Sequence, residues 1–216
     1  MENRCHLDAD SEYYNFEKTR FQGLFREGPN VVLDLGCGSG QLGKRLIELN
    51  RASEVVGVEI FEAAAINASK YYNKVIAGDI EILELPYREY FDYIVCGDIL
   101  EHLRDPWVTL QRVHSWLKPD GVLIASIPNV RYWRVLRDLV FKGRWQYEDS
   151  GIMDITHLRF FTRKTFFDAL EGKRFSISKC EFWVNGKKQG FFNKITFGFF
   201  REFLGSQFMV LANKEK

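Results

Sequence analysis

Val31-Val32-Leu33-Asp34-Leu35-Gly36-Cys37-Gly38-Ser39-Gly40 is the stretch that decides the fold. A short apolar, β-branched segment ends near an aspartate and then enters a loop with glycine at every second position. From Gln41 to Glu48 the apolar residues Leu42, Leu46 and Ile47 follow a helical spacing. Strand, tight glycine loop and helix form the opening unit of a nucleotide-binding α/β sheet. In that unit glycines turn the chain sharply and let backbone N–H groups approach a ligand.

Two ligand classes compete for the loop. Gly38-Ser39-Gly40-Gln41-Leu42-Gly43 formally satisfies a dinucleotide fingerprint, with Glu59 about 20 residues further on to hold a ribose. Asp34 argues against a dinucleotide, because a carboxylate just before the loop repels a pyrophosphate at the helix N-terminus. A ligand carrying a sulfonium and an α-ammonium tolerates that negative charge, and S-adenosylmethionine (SAM) is such a molecule.

The next segments repeat the pattern. Val55-Val56-Gly57-Val58-Glu59 reads as a second strand ending in an acid suited to ribose hydroxyls. Lys74 to Asp79 reads as a third, whose terminal acid is placed to accept from an adenine amino group. Phe91 to Cys96 reads as a fourth strand. Gly121 to Ile127 reads as a fifth, entered through the turn Lys118-Pro119-Asp120-Gly121. Acids at successive strand ends suit the crevice at the carboxyl edge of a parallel sheet.

Taken together, Val31 to Gly40, Glu59, Gly78-Asp79-Ile80, Phe91 to Val95, Asp98 to His102 and Leu117 to Gly121 resemble the ordered motifs of class I SAM-dependent methyltransferases. The resemblance runs from about Val31 to Ile127. Further on, Asp154-Ile155-Thr156-His157-Leu158-Arg159-Phe160-Phe161-Thr162 is similar to a segment of bacterial methyltransferases that modify sugars and other small molecules. It implies a Rossmann-like α/β fold, with a seven-stranded sheet in the order 3-2-1-4-5-7-6 and helices on both faces. It also implies cofactor contacts at Asp34, Gly36, Gly38, Gly40, Glu59, Asp79, Ile80 and Gly97.

Composition fits one domain over 1–216. Lys and Arg number 30 against 29 Asp and Glu, so global charge points to neither nucleic acid nor membrane. Cys5, Cys37, Cys96 and Cys180 are widely spaced, without metal or redox spacing, and read as reduced thiols of a cytoplasmic protein. No signal peptide and no run long enough to span a bilayer is expected.

Tyr13 to Arg26 reads as a helix that caps the sheet, and the family resemblance implies the alternative that it covers the methionine end of the cofactor, with Tyr14 or Arg20 at the carboxylate. The segment 130–161 reads as an insert that closes over the cleft and chooses the acceptor. Thr162 is expected to cap a helix from Arg163 to Leu170, and Arg174 to Val184 and Ser206 to Asn213 to supply the last two strands. The phenylalanines of 186–204 read first as core packing. A dimer surface, an apolar acceptor pocket and peripheral membrane contact are the other readings.

Methyl transfer to a hydroxyl needs alignment and often removal of a proton. His102, after the fourth strand, and His157, in the insert, are the imidazoles expected to serve. His102 takes precedence because its backbone is fixed by the sheet, whereas His157 depends on closure of the insert, with Asp154 and Thr156 able to fix its ring. For each, a purely structural role is the bland alternative. Asp98, Glu101 and His102 share a helical face if that segment is helical, and this trio is similar to the metal ligands of some quinone-pathway and small-RNA methyltransferases. Leu103 replaces a further histidine there, and no metal is expected. Arg131, Tyr132 and Arg134 are expected either to bind an anionic acceptor or to lie on a solvated helix face.

The reading is a methyltransferase acting on a small-molecule or glycan-linked acceptor, most plausibly at oxygen, with SAM as cofactor, nucleic acid not expected as partner and a homodimer allowed. The alternatives are an RNA or quinone-type O-methyltransferase with a metal at Asp98, Glu101 and His102, an NAD-type oxidoreductase, and a non-catalytic SAM-fold subunit.

Overall fold

The computed structural model describes residues 21–184 and 186–215. Tyr14, Arg20 and Cys5 therefore lie outside the described residues. Of the expected first helix, a short 3-10 turn at Gln22–Leu24 is described.

Seven strands form one sheet: β1 (Val31–Leu35), β2 (Glu54–Glu59), β3 (Lys74–Ala77), β4 (Phe91–Gly97), β5 (Leu117–Pro128), β6 (Phe175–Val184) and β7 (Gly205–Lys214). Their order is β3-β2-β1-β4-β5-β7-β6, as the sequence motifs imply. The first five are parallel and the last two pair antiparallel. Near-continuous apolar runs in β1, β2 and β4 are what strands covered on both faces require.

Alternate residues of each strand feed two cores. Leu33, Leu35, Val56, Ile94, Leu123 and Phe208 face one side, packed with Leu110 and Val113 of α3 (Pro106–Trp116) and Phe166 and Leu170 of α5 (Arg163–Glu171). Val32, Val55, Val95 and Ile124 face the other, with Leu42 and Leu46 of α1 (Gln41–Glu48) and Ala68 of α2 (Glu62–Ala68). Helices therefore cover both faces. Their starts are set by local chemistry. Asp105 caps α3 by accepting from the Val108 N–H at 3.0 Å, with Pro106 in the first turn. Thr162 and Thr165 form a reciprocal capping box on α5.

Two strand boundaries differ from the sequence reading. The turn Lys118–Gly121 falls inside β5, where the pairing with β4 skips from Leu117 to Val122 and Asp120 takes φ 65°. Asp79 lies two residues past the end of β3, carried there by Gly78 at φ 148°.

The larger correction concerns the segments after β5 and β6. Within the insert, α4 (Trp133–Lys142) contains no buried residue. The link from β6 to β7 forms α6 (Lys187–Ile195) and a short α7 (Arg201–Leu204). Phe191, Phe197 and Phe199 there are exposed, so they do not pack into the core. Size and hydrophobicity pointed inward, but the two cores are already filled from the strands and from α1, α2, α3 and α5.

Candidate active site

The β1 loop leaves the sheet with Gly36, Gly38 and Gly40 at φ 68°, 54° and 85°, conformations that side chains resist. Backbone bonds from Gly36 and Cys37 N–H to the Val58 carbonyl, at 2.9 and 3.1 Å, hold the loop against β2. Glu59, at the end of β2, is buried. Its Oε2 accepts from Gly38 N–H at 2.8 Å and its Oε1 from Phe61 N–H at 3.0 Å. Each carboxylate oxygen retains a second lone pair for a ribose hydroxyl. The Gly78 N–H donates to the Glu59 carbonyl at 2.8 Å, which draws the Asp79–Ile80 turn up to the same crevice. There Asp79 Oδ1 accepts from Glu81 N–H at 2.8 Å, while the Ile80 side chain is buried in the core and the Ile80 carbonyl receives Arg112. Gly97 ends β4, with Phe21 as the nearest side chain to where a Cβ would stand.

Asp34 is buried, and its Oδ2 accepts from the Tyr72 hydroxyl at 2.6 Å. The Tyr72 oxygen in turn accepts from the Gly43 N–H at 3.0 Å. Burial above all, and then the Asp34 charge, push the Tyr72 pKa well above its ordinary value and keep it a donor. A Cβ at Gly43 or Gly57 would stand 2.2 or 2.9 Å from the Tyr72 ring. The third glycine of the formal dinucleotide pattern therefore makes room for the Tyr72 ring. Sequence reading missed Tyr72, which carries no signal of its own beyond an aromatic ring after α2.

The Asp98–Glu101–His102 trio does not converge. Asp98, at φ 51°, turns its Oδ1 to the Ser126 hydroxyl at 3.0 Å and to the Gln207 amide. The following residues form a 3-10 turn, Leu100–His102, rather than an α-helix, so the expected shared face is absent. His157 stands in place of Asp98. Ligand atoms of Glu101, His102 and His157 all lie within 4.8 Å of one another.

His157 is brought there by the returning insert. The Leu158 and Arg159 N–H groups donate to the Glu101 carbonyl at 2.8 and 2.9 Å, stitching the two segments together. The ring partners also differ from expectation. His157 Nδ1 lies 3.0 Å from the Ile152 carbonyl, while Thr156 serves His102, whose Nδ1 lies 3.1 Å from Thr156 Oγ1 and 3.3 Å from its carbonyl. Thr156 Oγ1 donates to Asp154 Oδ1 at 2.6 Å, so it accepts from His102. A carbonyl also accepts, which places the proton of both rings on Nδ1 and leaves both Nε2 lone pairs for other work. Burial first, and then His157, lower the His102 pKa.

Cys96 lies in β4 beside this site. Burial, with smaller contributions from Asp34 and Glu101, pushes its thiol far above the ordinary range, so it is no nucleophile. Arg131 pairs with Glu202 at 2.8 Å and stacks on Phe203. Arg134 stacks on Trp133, and Tyr132 forms the N-cap of α4. These contacts tie Arg131 to α7 and Arg134 to the first residue of α4.

A glycine loop, a buried acid at the end of β2 and an acidic turn after β3, at the carboxyl edge of a 3-2-1-4-5-7-6 sheet, define a class I, SAM-dependent methyltransferase fold. The family described as "Methyltransferase domain" matches residues 7–177, and the chain belongs to it. Its methyl donor is SAM, and the residues above fit that cofactor.

Among curated relatives, the chain is 32% identical over 108 residues to the malonyl-[acyl-carrier protein] O-methyltransferase of Halalkalibacterium halodurans, covering 47% of this chain and 40% of that protein. It is 34% identical over 107 residues to the ubiquinone biosynthesis O-methyltransferase of Bradyrhizobium diazoefficiens, covering 48% and 41%. The matched segment is thus less than half the length of these relatives. Among solved structures, a SAM-dependent methyltransferase from Archaeoglobus fulgidus superimposes with TM-score 0.67 at 21% identity, over 94% of this chain and 100% of that one. A second, from Mesorhizobium loti, gives 0.64 at 20%, over 91% and 96%. At such identity these two speak for the fold alone.

Proposed function

We propose that this chain transfers a methyl group from SAM to a hydroxyl oxygen of a small-molecule acceptor, free or glycan-linked, with the His102–His157 pair receiving the proton. One observation carries this reading: both imidazoles hold their protons on Nδ1 against oxygen acceptors, so both Nε2 atoms are left as bases where β4 leaves the sheet. SAM supplies an electrophilic methyl carbon. Glu59 and the glycine loop orient it, the hydroxyl oxygen displaces sulfur, and the hydroxyl proton passes to an imidazole Nε2. The names of both curated relatives, as O-methyltransferases, support oxygen as the acceptor atom.

Cys96 and Cys180 are free thiols, which supports a reducing, cytoplasmic setting. Among the described residues no helix is long and apolar enough to cross a membrane.

The experiment is turnover of methyl-labelled SAM against a panel of hydroxyl-bearing metabolites and glycans. Label should appear in an ether or ester linkage. Label found only on nitrogen or carbon acceptors, or none transferred despite SAM binding, would contradict the proposal.

A second reading has its own observation, the 4.8 Å convergence of Glu101, His102 and His157. Two imidazole nitrogens and a carboxylate suit a divalent transition ion, which would lower the pKa of an acceptor hydroxyl. Dialysis against a chelator separates the readings. The proton-acceptor reading expects activity to persist. A loss above about tenfold, restored by Mn²⁺ or Zn²⁺, would establish the metal.

A further inference from the structure

Helices α4, α6 and α7 leave the sheet at one edge. The first follows β5, the other two join β6 to β7, and Pro128 pairs with Gln207 while Val184 pairs with Gly205. This is the carboxyl edge, where the cofactor crevice also lies. On these helices and the short link between α6 and α7, Phe141 is 82% exposed, Phe191 67%, Phe197 99% and Phe199 81%. Phe203 joins the two elements, sharing a shallow groove with Trp133, Leu136 and Val140. So many large apolar side chains in one region of surface mark a contact site.

The segments that carry this face are also the basic part of the sequence. Segments 131–147 and 186–204 hold nine Lys and Arg against two acids, while the rest of the chain holds 21 against 27. Both acids are already engaged on that face, Asp138 by Arg137 and Lys142, and Glu202 by Arg131 and Arg163. The aromatic face is thus built from net basic segments of a chain whose remaining sequence is net acidic.

We propose that this face docks onto the surface of a bilayer rich in anionic lipid. The phenylalanines enter the headgroup–acyl boundary and the surrounding cations meet the headgroups, the two-part signal that holds interfacial amphipathic helices. A second copy of this chain is a poor occupant, because two faces of the same strong charge repel. Nucleic acid is a poor occupant too. Val140 and Ile195, 69% and 57% exposed, offer no stacking plane to a base but gain from entering lipid.

The test is flotation of the full chain with phosphatidylcholine vesicles, with and without phosphatidylglycerol. Binding is expected only with the anionic lipid and should weaken as salt is raised. The double variants Phe197→Ser/Phe199→Ser and Arg144→Glu/Lys194→Glu should each lower the partition coefficient by roughly tenfold or more, with SAM affinity unchanged. Absence of binding, equal binding to neutral vesicles, or variants that float like the parent chain would overturn the proposal. So would a homodimer that the phenylalanine variant dissociates, or binding to single-stranded RNA without binding to vesicles.

Discussion

The imidazoles of His102 and His157 meet edge to face, with ring centroids 4.7 Å apart and planes inclined at 71°. One follows β4 and the other returns from the insert, and backbone bonds to the Glu101 carbonyl fix their approach. At this separation a charge on one imidazole opposes a charge on the other, and after burial His157 is the next cause that lowers the His102 pKa.

The first prediction follows from that coupling. His102→Gln and His157→Gln should each lower kcat by about 10²–10⁴, with SAM affinity changed by less than about threefold. The double variant should lose little more than the worse single one. Steady-state kinetics and calorimetry on the three proteins check this, and additive losses would point to two independent roles.

The pH profile has a definite sign. Burial chiefly, and His157 next, hold the His102 pKa below the ordinary value of about 6.5. The acid limb of kcat/KM should therefore fall below pH 6.5. Stability moves in the same window. As pH drops below the unfolded pKa, the unfolded chain binds a proton that folded His102 refuses, so the fold weakens down to the folded pKa and is unaffected above 6.5. Denaturant titrations should show this acid loss reduced in His102→Gln.

Glu59 carries the cofactor prediction. Its carboxylate already organises Gly38 and Phe61, so Glu59→Ala removes the ribose acceptor and loosens the loop together. SAM affinity should fall by roughly 1.5–3 kcal/mol in calorimetry. Asp79→Ala should cost less, since one adenine contact is at stake.

The Tyr72–Asp34 bond makes a stability prediction away from the histidines. Tyr72→Phe strips the buried Asp34 of this donor and should cost about 1–3 kcal/mol in denaturant unfolding. Gly43→Ala should cost at least as much, because its Cβ would meet the enclosed Tyr72 ring at 2.2 Å.

Much of this architecture is legible in residue order. The apolar runs that become β1, β2 and β4 sit in mid-sheet, covered on both faces, so composition alone marks them. The glycine loop could be read because Gly36, Gly38 and Gly40 take positive φ in a turn that other side chains resist, and Glu59 because the end of β2 falls beside that loop. The meeting of His157 with His102 could not, since it depends on how a long insert folds back, and no periodicity reports that path. Asp98 was read with Glu101 and His102 on helical spacing, but the segment is a 3-10 turn after a residue at φ 51°. Tyr72 was invisible because nothing in residue order ties it to Asp34, 38 positions away. The phenylalanines of 186–204 misled for a simpler reason: a hydrophobic side chain looks alike in sequence whether it enters a core or awaits a partner.

The most direct test of the central claim is a crystal structure with S-adenosylhomocysteine bound. The account predicts the Glu59 carboxylate on the ribose hydroxyls, and at least one imidazole Nε2 within about 8 Å of the sulfur, the reach of a methyl, an acceptor oxygen and one hydrogen bond in line. Both imidazoles lying well beyond that distance, with the ribose held by Glu59, would contradict a proton-accepting role for the pair.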